Sequence, residues 1–232
     1  MSNNYADVYG GGAALSTLSN CVVSRNQTPF YGGGCYGSWL TGGRVEYNLA
    51  GTNVSGHMYG WGGGLYNGGA RDTVIARNEA LIDGGGACDA ALTNCTVAHN
   101  IATNQNSLGG GVGGGSVLGG VVASNKAHFG GGCAYVQVTD CLLQGNTASD
   151  STNYTPYGQG GGAFMCTLRR CVVTGNRAND NGCGAGLAGG AADRGLITEN
   201  TAEVISGTGF RGCGGGAFQA ALTNWVLTDN YA

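Results

Sequence analysis

Gly160-Gly161-Gly162-Ala163-Phe164-Met165-Cys166-Thr167-Leu168-Arg169-Arg170-Cys171-Val172-Val173-Thr174-Gly175-Asn176-Arg177-Ala178 is one copy of the block that decides the fold. The last glycine of its opening triplet and its asparagine lie fourteen positions apart, and that spacing recurs in nine blocks. The pairs are Gly12/Asn26, Gly34/Asn48, Gly64/Asn78, Gly86/Asn100, Gly111/Asn125, Gly132/Asn146, Gly162/Asn176, Gly186/Asn200 and Gly216/Asn230. Length varies only in the 4 to 13 residues between each asparagine and the next triplet. A block of fixed length joined to its copies by elastic loops is the signature of a solenoid.

Positions within the block are counted from the third glycine as zero. Position +6 is apolar throughout (Leu18, Leu40, Ala70, Leu92, Val117, Val138, Leu168, Ala192, Leu222), as is +11 (Val23, Val45, Ile75, Val97, Val122, Leu143, Val173, Ile197, Leu227). Position +16 is Thr28 and then alanine in every later block. Position +9 is mostly glycine or cysteine. The neighbours are polar or small, so the chain alternates with a period of two in short bursts, and no stripe of period 3.6 is long enough for a helix. The expected fold is all-β: one domain over 1–232, a Gly-rich right-handed parallel β-helix of nine coils. Each coil is expected to be three-sided, with three short strands per coil, just after the triplet, around +5 to +7 and around +9 to +13. Coils then stack at about 4.8 Å, the inter-strand spacing, and the hand follows the preference for right-handed crossovers.

The asparagines Asn26, Asn48, Asn78, Asn100, Asn125, Asn146, Asn176, Asn200 and Asn230 form the predicted structural ladder. An asparagine tolerates the left-handed bend, and its amide can donate to the amide of the next coil. Aspartate would bring like charges to about 5 Å and fail. Asn26-Gln27-Thr28 and Asn94-Cys95-Thr96 match the glycosylation sequon, but both fall in ladder or turn positions.

The Gly-Gly-Gly-Ala opening, followed by Leu-Thr-Asn-Cys-Val-Val-x-x-Asn-x-Ala, resembles the repeats of right-handed parallel β-helix surface proteins. Among these are the passenger regions of polymorphic outer-membrane proteins of the autotransporter type. Gly161-Gly162-Ala163-Phe164 with Asn176 and Gly215-Gly216-Ala217-Phe218 with Asn230 carry the likeness best, and it extends over essentially the whole chain. It implies a fold and a cell-surface or extracellular location more than an activity, because such solenoids host adhesins, lyases, tail spikes and fibres.

Charged residues make up 10% of the chain and the net charge is −3, which offers nothing to a nucleic acid or an anionic membrane. No apolar run reaches the ~18 residues of a membrane span, and Met1 to Gly10 is too polar for a secretory signal. Of ten cysteines, Cys183 and Cys213 sit three residues before their third glycine in successive blocks and form the candidate disulfide. Cys21, Cys95, Cys141 and Cys171 share the inward +9 position, Cys35 and Cys133 share +1, and most of the cysteines read as buried free thiols. With no Cys-x-x-Cys pair and scattered histidines, neither a metal site nor any other cofactor is expected.

An enzyme is not expected and no catalytic residue is assigned. Asp140, Arg169, Arg170, Asp193 and Arg194 cluster at +7 and +8 on one outer face, where a surface ion-pair ladder pairs Arg169 with Asp193. A glycosidase needs two carboxyls, one with its pKa raised by burial, and the carboxylates here read as few and well solvated. The loops are the candidate binding ridge. The 13-residue loops 49–61, 147–159 and 201–213 leave from the same corner and carry His57, Tyr59, Trp61, Tyr154, Tyr157 and Phe210. Insertions confined to one face of a solenoid mark its binding face, and aromatics there suit a glycan, a cell surface or another rod. In the competing reading they fold back over the Gly-rich strand below.

Neither end reads as a cap. Joining Ala232 of one chain to Met1 of the next puts eleven residues between Asn230 and Gly10, inside the range of the internal loops. This predicts a structural or adhesive extracellular solenoid that associates with itself head to tail into a fibre, or a segment of a longer array. A carbohydrate-binding or polysaccharide-degrading β-helix is the alternative.

Overall fold

The structure, a computed structural model, describes residues 1–54, 57–149, 158–179, 182–203 and 213–232. Among these there is no helix, and the strands pair in parallel from each repeat to the next. The exception is an antiparallel hairpin, Thr52–Val54 with His57–Tyr59, in the loop 49–61. The repeat blocks stack in the register that the apolar positions predict. Leu18 pairs with Leu40, Leu40 with Ala70 and Ala70 with Leu92, while Val23 pairs with Val45 and Val45 with Ile75. From the second to the eighth repeat the side chains at +1, +6 and +11 (Leu65, Leu92 and Val97 among them) are buried and form one continuous core.

The three predicted strands per repeat are present, but a fourth accompanies them. Gln27–Thr28, Leu49–Ala50, Glu79–Ala80 and their successors at +15 and +16 build a separate eight-stranded sheet. The outline therefore has four ladders where a three-sided coil was expected. The cause is a fourth bend. In every repeat the backbone is left-handed at −2, +3, +8 and +13, for example Gly84, Asp89, Asn94 and His99 with φ of 63°, 51°, 51° and 57°. Bends five residues apart leave two inward positions between them, so +1, +6, +11 and +16 line the core together with +4, +9 and +14. A left-handed residue other than glycine costs roughly 1–2 kcal/mol. The chain accepts that cost because each bend returns the backbone to a ladder.

The glycine triplet has a separate reason at each place. The first glycine is the left-handed bend itself, with φ between 58° and 68° in all nine repeats. The third touches its own asparagine: a Cβ on Gly86 would lie 2.9 Å from Nδ2 of Asn100, and one on Gly111 would lie 2.9 Å from Nδ2 of Asn125. The second abuts the +15 backbone, although Ala185 shows that a methyl group can be accommodated there. The fixed fourteen-residue spacing thus records a direct contact that closes each repeat.

The asparagines form the expected ladder, buried from Asn26 to Asn200. The backbone N–H and Nδ2 of Asn100 both donate to Oδ1 of Asn125, at 2.9 and 3.0 Å. Nδ2 also donates to the Ile75 carbonyl of the preceding repeat at 2.9 Å. The +9 thiols make a weaker version of the same contact. Cys95 Sγ donates to the Thr93 carbonyl and to Ala70 of the preceding repeat, at 3.4 and 3.3 Å. Cys183 and Cys213 form a disulfide between adjacent repeats, and the other eight cysteines are free. Burial pushes the thiols of Cys35, Cys141 and Cys166 up to about 12, so they stay protonated and inert.

Asn125→Asp is expected to lower unfolding stability by about 3–5 kcal/mol at neutral pH, because an unpaired buried charge replaces two amide donations. The loss should shrink in acid: burial among acceptors raises the folded pKa of the new carboxyl, so protonation favours the folded state. Thermal melts at neutral and acid pH measure both. An unchanged melting temperature at neutral pH would contradict the ladder.

Candidate functional site

Because repeats stack in register, outward positions form columns along the rod. Two of them, −3 and +2, flank the bend at the first glycine. Column −3 is a continuous series of bridges through Tyr9, Tyr31, Trp61, Asp83, Leu108 and Phe129. Column +2 runs from Ala14 through Tyr36, Tyr66, Cys88, Gly113 and Ala134 to Phe164. In the early repeats the rings stack along each column. Tyr31 lies 5.1 Å from Trp61 with planes 15° apart, and Tyr36 lies 5.8 Å from Tyr66 with planes 9° apart. Tyr31 also meets Tyr66 across the bend at 4.9 Å.

Both columns stop at the fourth repeat. Asp83 follows Trp61, and Cys88 follows Tyr66. Gly113 and Ala134 offer no ring either, and rings resume at Phe129 and Phe164, 5.1 Å apart. The gap is a cleft of roughly 240 Å³ between Trp61 and Tyr66 on one side and Tyr135 on the other. Its floor is Cys88, Gly113 and Gly114, and two carboxylates, Asp83 and Asp89, enter it. Asp89 is a left-handed bend residue whose carboxylate reaches over the bare backbone of Gly114. Asp83 accepts the Leu108 N–H at 2.9 Å and a hydrogen bond from the Trp61 side chain.

Desolvation lifts the Asp83 carboxyl to about 6, against the lowering effect of those two hydrogen bonds. This corrects the expectation that every carboxylate is well solvated. The cleft can accept hydrogen bonds from a polyhydroxylated ligand, and Asp83 can hold a proton in mild acid. Among the described residues, no group of three or more potential metal ligands comes together.

The residues of the predicted loop ridge are partly gathered here. Tyr59 packs edge-on against Phe30 at 5.0 Å and lies 6.5 Å from Trp61, so both rings fold back onto the aromatic column. His57 belongs to the hairpin by its backbone. Tyr154, Tyr157 and Phe210 lie outside the described residues. Asp83, Asp89 and Tyr66 were not singled out from sequence; the signal for them was the replacement of rings by small and acidic residues at −3 and +2.

The charged face is an ion-pair lattice. Arg170 binds Asp140 through two contacts of 2.6 and 2.7 Å, and Asp193 lies 3.7 Å from Arg169 and 3.1 Å from Arg194. At +13, Tyr47 stands between the guanidinium groups of Arg25 and Arg77, at 5.6 and 5.7 Å. Searches against protein-family models, curated proteins and solved structures return no match. The likeness to autotransporter passenger repeats therefore rests on the repeat motif alone.

Since the folded Asp83 holds its proton more tightly than the unfolded chain does, its contribution to stability is lost as pH rises towards and beyond about 6. Asp83→Asn, which keeps the acceptor for Leu108, is expected to stabilise the fold at neutral pH by on the order of 1 kcal/mol after solvent screening. That gain should vanish below the ordinary carboxylate range. Melts across acid to neutral pH measure it, and an equal effect at every pH would contradict the desolvated carboxylate.

Proposed function

We propose that the chain is an extracellular or cell-surface β-solenoid of nine right-handed coils with a structural or adhesive role. Its end faces stack on a further layer of the same kind, from a second copy in a head-to-tail fibre or from a longer repeat array. The observation that carries this reading is the open core position of the ninth repeat. Leu227 stands at +11, where Val23 through Ile197 are fully buried, yet it is 44% exposed. Val226 and Tyr231 beside it are also exposed. Trp225, at a position where seven of the other eight repeats have glycine or cysteine, reaches over Gly195 and packs against part of the core mouth. A bare apolar layer with free ladder groups favours addition of another layer by main-chain hydrogen bonds.

A second reading, a carbohydrate-binding solenoid, is favoured by the aromatic cleft at Asp83. The two readings are compatible in an adhesive rod.

Sedimentation and negative-stain microscopy of the 232-residue chain test the stacking. Oligomers or filaments that grow with concentration are expected. Leu227→Lys should dissociate them and leave the β-rich circular dichroism spectrum intact. Monodisperse single rods at the highest soluble concentration would contradict self-stacking, as would filaments indifferent to Leu227→Lys.

A further inference from the structure

We infer that the gap in the aromatic columns is a subsite for one pyranose ring of a neutral or amino-sugar glycan, held between the face of Tyr66 and the carboxylates of Asp83 and Asp89. This adds a ligand on the side of the rod and does not depend on the ends stacking.

The stacking geometry comes first. Tyr36 and Tyr66 lie nearly parallel one repeat apart, so their planes face along the column. The next member of that column, Cys88, supplies no ring, and one face of Tyr66 is left to the cleft. A pyranose presents a flat C–H face of similar width and can take the place of the missing ring. Aromatic groups of this kind combine apolar contact with a polar rim.

The acceptors come second. A pyranose that stacks by its flat face points its hydroxyl groups outward in the ring plane. Those hydroxyls are donors, and the two carboxylates lining the cleft are acceptors. Asp83 is fixed in place by the Leu108 N–H, so ligand binding need not order it. No lysine or arginine lines the cleft, which excludes attraction of a uronic acid or a sulfated sugar and favours a neutral or protonated amino sugar.

Size comes third. At roughly 240 Å³ the cleft falls below the ~300 Å³ at which sites for drug-sized ligands begin. It holds one ring of a chain whose neighbours run over the surface. Affinity from a single subsite is then weak, and repeated copies along a fibre or array would add avidity.

The test is titration of the protein, followed by tryptophan and tyrosine fluorescence and by calorimetry, with hexasaccharides of β-glucan, mannan, galactan, chitosan and polygalacturonate. Saturable binding of at least one neutral or amino-sugar hexamer is expected, with polygalacturonate at least tenfold weaker. The neutral and chitosan arms separate the two sugar sources. Tyr66→Ala and Asp89→Asn should each weaken binding tenfold or more. Asp89 is exposed at a bend, so its variant keeps the inference testable even where Tyr66→Ala fails to fold. Trp39→Ala, an exposed ring on another ladder, should leave affinity unchanged. No binding by any neutral or amino-sugar hexamer, a preference for polygalacturonate, or binding untouched by Asp89→Asn would each overturn the inference. Filament formation by the Asp89→Asn protein would show that end stacking stands apart from the subsite.

Discussion

The chain of carboxamides from Asn26 to Asn230 is the interaction on which the rest depends. Each amide accepts two N–H groups from the preceding asparagine and returns its own Nδ2 to a carbonyl one repeat back, as at Asn125, Val97 and Asn146. Buried polar groups are tolerated only when they are satisfied in this way. The ladder also sets the metre of the sequence. The third glycine has no Cβ because the amide occupies that space, so the fourteen residues between them make a closed circuit that cannot lengthen. The remaining segment leaves and re-enters the stack without touching the amide, and there the sequence is free to vary.

The same geometry recurs in weaker form at each bend. A residue just after a left-handed position can send a donor to the carbonyl two residues before it and to one in the preceding repeat. Thiols and Thr73 do both at +9, and the asparagines at +14 send Nδ2 to the carbonyl of the preceding repeat, with Asn200 and Asn230 also reaching the carbonyl two residues before. This explains why cysteine, rather than alanine, recurs at a small inward position. It also explains why Cys95, Cys141 and Cys171 are structural: their hydrogens are spent on backbone oxygen atoms, and burial keeps them protonated.

A fold this regular places function in its exceptions. Where a column repeats one kind of side chain, its members pair with each other, as the rings do from Tyr31 to Trp61, and where types alternate they pair across types, as Tyr47 does with the guanidinium groups of Arg25 and Arg77. A break in a column leaves one face unpartnered, and the break at Asp83 and Cys88 also half-buries a carboxylate.

Much of this was legible in the chain. The register at +6 and +11 and the amide ladder follow from spacing, which also offered Cys183 and Cys213 as a candidate pair. The fourth ladder was harder to see, because its strands are two residues long and too short to show alternation. Its trace was the five-residue step from +6 to +11 to +16, which is the bend period. The cleft was harder still. Whether Asp83 is solvated depends on Trp61, Tyr66 and Leu108, which are 22, 17 and 25 positions away and belong to other repeats. No local pattern reports on burial of that kind. Hydrogen exchange of the side-chain amides, followed by nitrogen-15 NMR, tests the central claim most directly. If the ladder is the closed network described, the carboxamide hydrogens of Asn78, Asn100, Asn125 and Asn146 will exchange only with global unfolding. Exchange at the rate of free asparagine, with the backbone of the same repeats still protected, would show that the amides are not what holds the coils in register.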